Sequence, residues 1–263
     1  MPTFDTPDPI RARIDLSAGT VRVHATPRSD TVVEVRPGDD RSAAARQAAF
    51  DTRVEFADGT LVVRSPRRAR LLFFNTGPSV EVDVSLPERS AVDISTTAGD
   101  VECDGLLGDV TVNCRYGGIG VDSAGRVRAG TATGDITLRH VDTSAEASTA
   151  YGEIRIGDAE GDLRLSSACG DITVDQALGS VGANTKYGEI RVHEAVRGSL
   201  DLETAYGGIR TGVRRGTAAW LDVAAASGTV RNSLSATDGP DDAEDTLRIH
   251  ARTAYGDIVI RHA

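Results

Sequence analysis

The residues best placed to do chemistry recur at fixed intervals. An acidic side chain follows a glycine at Asp100, Asp135, Glu153, Asp171, Glu189 and Asp257. Such a series could hold cations, supply an acid–base pair, or interleave with the arginines two residues on, at Arg155, Arg191, Arg210 and Arg231. If the acids stack about 5 Å apart, neighbours repel by roughly 1 kcal/mol in water and by several at an effective dielectric near 20, so something must offset them. Interleaved arginines are one answer and a row of Ca²⁺ is the other. Calcium-binding β-rolls use a Gly-Gly-x-Gly-x-Asp nonapeptide with backbone ligands in the turn. That pattern is missing, and Gly118, Gly208 and Thr229 interrupt the series. The five histidines lack metal-ligand spacing, and Cys103, Cys114 and Cys169 form no CxxC pair. Neither a metal nor another cofactor is expected.

All five tyrosines, Tyr116, Tyr151, Tyr187, Tyr206 and Tyr255, stand immediately before a glycine of this series, where other repeats carry Ala98, Thr133, Cys169 and Ser227. Two readings stand side by side: a corner ladder whose rings cover the turn glycines, or an outward stripe that binds protein or glycan. Tyr187 and Tyr206 fall on adjacent repeats and could stack. A second candidate contact is the run from Arg67 to Asn75. It sets Arg67, Arg68 and Arg70 beside four large apolar residues that include Phe73 and Phe74. Such a run either packs over the first repeat or docks on a protein or a membrane surface. There is no GxSxG elbow, P-loop, HExxH or dinucleotide fingerprint. The chain is expected not to be an enzyme, with no catalytic residue to name. Trp220 reads as a C-terminal core plug.

These residues are positioned by a repeat. A glycine, one variable residue and an alternating apolar pair recur with the glycine at 99, 117, 134, 152, 170, 188, 207, 228 and 256. A plainer copy falls about halfway between, as in Gly161-Asp-Leu-Arg-Leu165. Apolar residues two apart share one face of a strand. Half-repeats of about nine residues leave no room for a crossover helix. Like strands one turn apart stack parallel and in register. The expected fold is therefore all-β: a right-handed parallel β-solenoid, or β-helix, with about 18 residues per coil. Its inward ladder would be Val101, Ile119, Ile136, Ile154, Ile172, Ile190, Ile209, Val230 and Ile258.

Residues 1–90 read differently, as an N-terminal β cap continuous with the solenoid. Strands are expected at 10–16, 20–25, 31–36, 52–57, 60–64 and 79–86. One short helix is expected over 43–50, with Asp39 and Asp40 at its start, and Asp58-Gly59 signals a hairpin. Residues 91–263 would form the solenoid, with an acidic loop inserted at 236–245. Its closing strand, 256–261, would leave an open edge through which the solenoid ends could self-associate.

The recurring Tyr-Gly-Glu/Asp-Ile and Gly-Asp-Ile-Thr-Val units carry a resemblance. So do the opening Phe4-Asp-Thr-Pro-Asp-Pro-Ile10 and the ending Arg252-Thr-Ala-Tyr-Gly-Asp-Ile-Val-Ile260. Over nearly its whole length the chain resembles the bacterial β-strand-repeat family known as toast-rack and labelled "putative adhesin". The resemblance implies a parallel β-helix, a role in envelope-stress signalling or beside an ABC transporter system, and no catalytic residues.

Composition sets the remaining bounds. Of 263 residues, 28 are glycine and only 4% are aromatic, which favours thin layers of Val, Ile, Leu and Ala over ring-anchored cores. A net charge of −10 opposes non-specific binding to nucleic acid. The first ten residues have no basic or apolar leader, so the cytoplasm is the expected setting. Together these observations predict a non-enzymatic scaffold with an unidentified protein partner. The alternative is a ligand-binding or carbohydrate-active β-helix.

Overall fold

The computed structural model describes residues 1–66, 78–234 and 245–263, and its contacts divide into two units, residues 1–133 and 134–263. The first unit contains β1 (Thr3–Asp5), β2 (Arg11–Leu16), β3 (Val21–Thr26), β4 (Asp30–Pro37), α1 (Ala43–Asp51), β5 (Arg53–Ala57), β6 (Thr60–Arg64), β7 (Val80–Pro87), β8 (Ala91–Ala98), β9 (Val101–Tyr116) and β10 (Ile119–Thr133). Strands β9 and β10 are parallel, Val101 opposite Ile119 and Val110 opposite Val127. The ladder shifts register once, between Val121 and Ser123, and resumes on the far side of the bend.

The first chain coil, β2–β3, does not lie at an edge. β2 runs parallel to both β6 and β8, and β3 runs parallel to both β7 and β9. It can sit there because its inward residues, among them Ile14, Leu16, Val21 and Val23, are large enough to fill a layer covered on both sides. The antiparallel pairs β1–β4, β4–β7 and β5–β6 complete this part of the unit. At the β5–β6 turn Asp58 and Gly59 adopt φ of 49° and 69°, the paired left-handed geometry that suits a two-residue hairpin. Helix α1 packs on β4 and β7. Its cap is Ser42, whose Oγ accepts the Ala45 N–H, whereas Asp39 closes the preceding turn by accepting from Arg41 N–H.

The second unit contains β11 (Ile136–Tyr151), β12 (Ile154–Ala159), β13 (Asp162–Cys169), β14 (Ile172–Ala177), β15 (Val181–Tyr187), β16 (Ile190–Ala195), β17 (Gly198–Tyr206), β18 (Ile209–Val213), β19 (Thr217–Ser227), β20 (Val230–Asn232), β21 (Asp245–Tyr255) and β22 (Ile258–His262). Ile136, Ile154, Ile172 and Ile190 are successive partners in parallel ladders, and each is fully buried. Each such side chain contributes about 1.5–3 kcal/mol through burial. The corner before each isoleucine requires glycine. Gly152 and Gly170 have φ of +153° and +150°. A Cβ at these positions would stand 2.0 and 1.9 Å from the carbonyl oxygen of the glycine one coil back.

The stack leaves chain order at its end. Ile209 pairs with Ile258, and Ile258 in turn with Val230. The last coil of the chain, β21–β22, is thus intercalated between β17–β18 and β19–β20. Three sequence expectations are corrected here. Strand 256–261 is no open edge, Val230 leaves the buried ladder at 43% exposure, and Trp220 is no core plug at 67%. The reason is apolar content. An inner coil is covered on both sides, so placing Leu247, Ile249, Ile258 and Ile260 there buries more apolar area than placing Ala219, Leu221, Val230 and Asn232.

Candidate functional site

Two residues before the corner position of five second-unit coils stands a buried hydroxyl, and the outer coil carries Ala225 there. Thr149, Ser167, Thr185, Thr204 and Thr253 each donate to the carbonyl of the corner glycine on the adjacent coil, at 2.9–3.2 Å. In the first unit Thr131 donates likewise to Gly117. The ladder occupies an inward column at the edge of the core, so each coil enters its corner in the same pose. The position two residues later stands outside, where four of these coils carry tyrosine. The Thr/Ser-x-Tyr/Cys spacing was visible in the sequence as a signal for this ladder.

Strand register places Tyr151, Cys169, Tyr187, Tyr206, Tyr255 and Ser227 in one column. Tyr187 and Tyr206 stack as their adjacent repeats suggested, with centroids 5.1 Å apart and planes 6° apart. Tyr255 joins them at 5.0 Å and 4°. That contact was hidden in the sequence, because only the intercalated last coil brings residue 255 beside residue 206. Among the four tyrosines of the second unit, exposure follows the number of stacked neighbours: 49% for Tyr206 with two, 56% and 55% for Tyr187 and Tyr255 with one, 62% for Tyr151. No ring stacks on Tyr151 among the described residues.

The acids beyond the glycines have their charges met. Asp135, Asp171 and Asp257 each accept a backbone N–H from the adjacent coil, from Glu153, Glu189 and Thr229 respectively, all at 2.8 Å. In the first unit Asp100 accepts from Gly118 in the same way. Arginines then bridge what remains: Arg155 with Glu153, Arg191 with Glu189 and Asp171, Arg210 with Glu189. Backbone capture was the part of the offset that sequence reasoning missed. Thr229, through its N–H and its hydroxyl, holds the Asp257 carboxyl below its ordinary range, with Arg231 and Arg210 assisting. Arg252 and then His250 do the same for Asp222. No cluster of three or more His, Cys, Asp or Glu that could hold a metal ion occurs among the described residues.

Beside the tyrosine column, β11, β13, β15 and β17 form a shallow open trough of about 310 Å³. It arises where Gly182 carries no side chain between Arg164 and Asp201, and Ser166 and Asn184 meet along it at 2.9 Å. Burial, followed by the nearby Asp104 charge, pushes the Cys103 thiol up to about 12. Cys169 is only half-buried. Arg67, Arg68, Arg70, Phe73 and Phe74 lie outside the described residues.

Parallel coils in register, glycine corners and an ordered lattice of outward side chains define a β-solenoid repeat protein with an aromatic corner. The chain belongs to the Toastrack DUF4097 family, whose model matches residues 13–261. Solved structures similar to it include a "putative adhesin" from Bacteroides fragilis, at 14% identity and TM-score 0.46, covering 99% of this chain and 96% of that one. Another "putative adhesin", from Parabacteroides distasonis, aligns at 11% identity and TM-score 0.42, covering 100% and 95%. No curated protein matches the chain.

Proposed function

We propose that the protein is a non-enzymatic interaction module that offers its tyrosine corner to a protein partner. The observation that carries this reading is the column of half-exposed rings, Tyr151, Tyr187, Tyr206 and Tyr255, held in register by a buried hydroxyl ladder. Exposed, pre-ordered aromatic rings bring contact area at low entropic cost. The Asp–Arg lattice supports a scaffold over a hydrolytic β-helix, because its carboxylates are engaged with N–H groups and guanidiniums.

The test is a double variant, Tyr151→Ser with Tyr187→Ser. One ring–ring contact is lost, about 0.5–1.5 kcal/mol, so melting is expected to drop by only a few degrees. A partner captured by wild type from the host lysate is expected to be lost. Severe destabilisation would make the rings structural and remove the proposal. An ABC transporter or envelope-stress protein as that partner, and a cytoplasmic setting, belong to the same proposal.

A second reading, ligand binding, is favoured by the trough over Gly182; saturable binding of a small ligand lost in Gly182→Leu would support it. Self-association through the solenoid end is proposed at β19–β20, where the intercalation of β22 leaves the outer edge.

A further inference from the structure

We infer that the coil of Cys169 forms a slot, one aromatic ring wide, between the faces of Tyr151 and Tyr187, and that the slot takes a neutral aromatic side chain of a partner protein. The inference deepens the interaction reading above and rests on it.

The protein supplies its own template. Where three consecutive coils carry tyrosine, the rings stack at 5.1 and 5.0 Å with nearly parallel planes. Each ring therefore occupies the height of one coil. Cys169 is the direct ladder partner of both Tyr151 and Tyr187, so those two rings stand two coils, about 10 Å, apart. The thiol extends no further than the first side-chain atom beyond Cβ, and it floors the gap without filling it. A ring entering end-on would find on each side what Tyr206 finds from Tyr187 and Tyr255. Tyr151, with no ring stacked on it among the described residues, is also the most exposed of the four.

Charge selects among planar groups. A guanidinium could also lie between two phenol faces. However, the carboxylates flanking the slot are already bridged, Glu153 by Arg155 and Asp171 by Arg191. The exposed Lys186 precedes Tyr187 at the slot's other side. With these two carboxylates bridged and Lys186 adding positive charge, a neutral ring is the matching occupant.

N-acetyl-L-tyrosinamide is the probe, titrated against the full chain and followed by NMR. Saturable binding in the millimolar range is expected, unchanged in Cys169→Ser and at least tenfold weaker in Cys169→Tyr, which fills the slot with the residue that adjacent coils already accept. Should Cys169→Tyr misfold, Tyr151→Ser decides, since it removes one wall and leaves the slot open; loss of binding supports the slot and retention overturns it. Absence of saturable binding to wild type overturns the inference. So does unchanged binding to a folded Cys169→Tyr, or equal binding of N-acetyl-L-argininamide or methyl β-glucoside. If the probe fails while a tyrosine-dependent partner is still captured, the slot falls and the interaction module stands.

Discussion

Gly170 shows how one residue type can hold a repeat in place. Its φ of +150° belongs to a region that side-chain-bearing residues rarely adopt, and a Cβ would lie 1.9 Å from the Gly152 carbonyl oxygen. Gly170→Ala is expected to lower unfolding stability by roughly 3 kcal/mol or more, combining backbone strain with a contact that the neighbouring coil must shift to relieve. Denaturant titration checks this, and a loss below about 0.5 kcal/mol, the size of an ordinary surface substitution, would show that the corner tolerates a side chain. The glycine was legible in the sequence because its spacing repeats. Its cause was not, since the clash involves an oxygen 18 positions away.

At the scale of the element, the coil is held by three parallel series: buried aliphatics, hydroxyls reaching glycine carbonyls, and aspartates capturing N–H groups. The last makes the final coils sensitive to acid. Asp257 has a folded pKa below its ordinary 3.8, because Thr229 donates both its N–H and its hydroxyl to the carboxylate. A group whose pKa is depressed on folding adds stability above its unfolded pKa and loses it as pH falls through the folded value. Melting temperature is therefore expected to decline progressively below about pH 3.8. In Asp257→Ala it should be lower at neutral pH and less steep in acid. Equal acid slopes for the two proteins would show that the capture of Thr229 contributes nothing to this decline. The acid series was plain in the sequence, and arginine pairing was foreseen. Backbone capture was not, because a main-chain donor leaves no mark in residue types.

For the molecule as a whole, the informative feature is where the chain's ends go. In the first unit β2–β3 lies between later stretches of chain, and in the second β21–β22 lies between the two coils that precede it, out of chain order. The outer coil of the second unit is then β19–β20, with Trp220 and Val230 exposed. β19 is eleven residues long and Asp222 is its only charged residue. A long edge with so little charge is a template for pairing with another chain. Light scattering is expected to show a mass above the monomer that rises with concentration, accompanied by a blue shift in the fluorescence of the single tryptophan. A strictly monomeric mass at high concentration would remove the self-association proposal. The sequence by itself determined the strand class, the coil repeat, the glycine corners and the buried isoleucine ladder, because each is a local period imposed on side-chain chemistry. Only the tertiary structure decided which coil lies inside and which outside. Two coils with the same corner motif compete for the same ladder, and the one with the larger apolar surface gains more from being covered on both sides. That choice set Tyr255 against Tyr206 and left Trp220 in solvent.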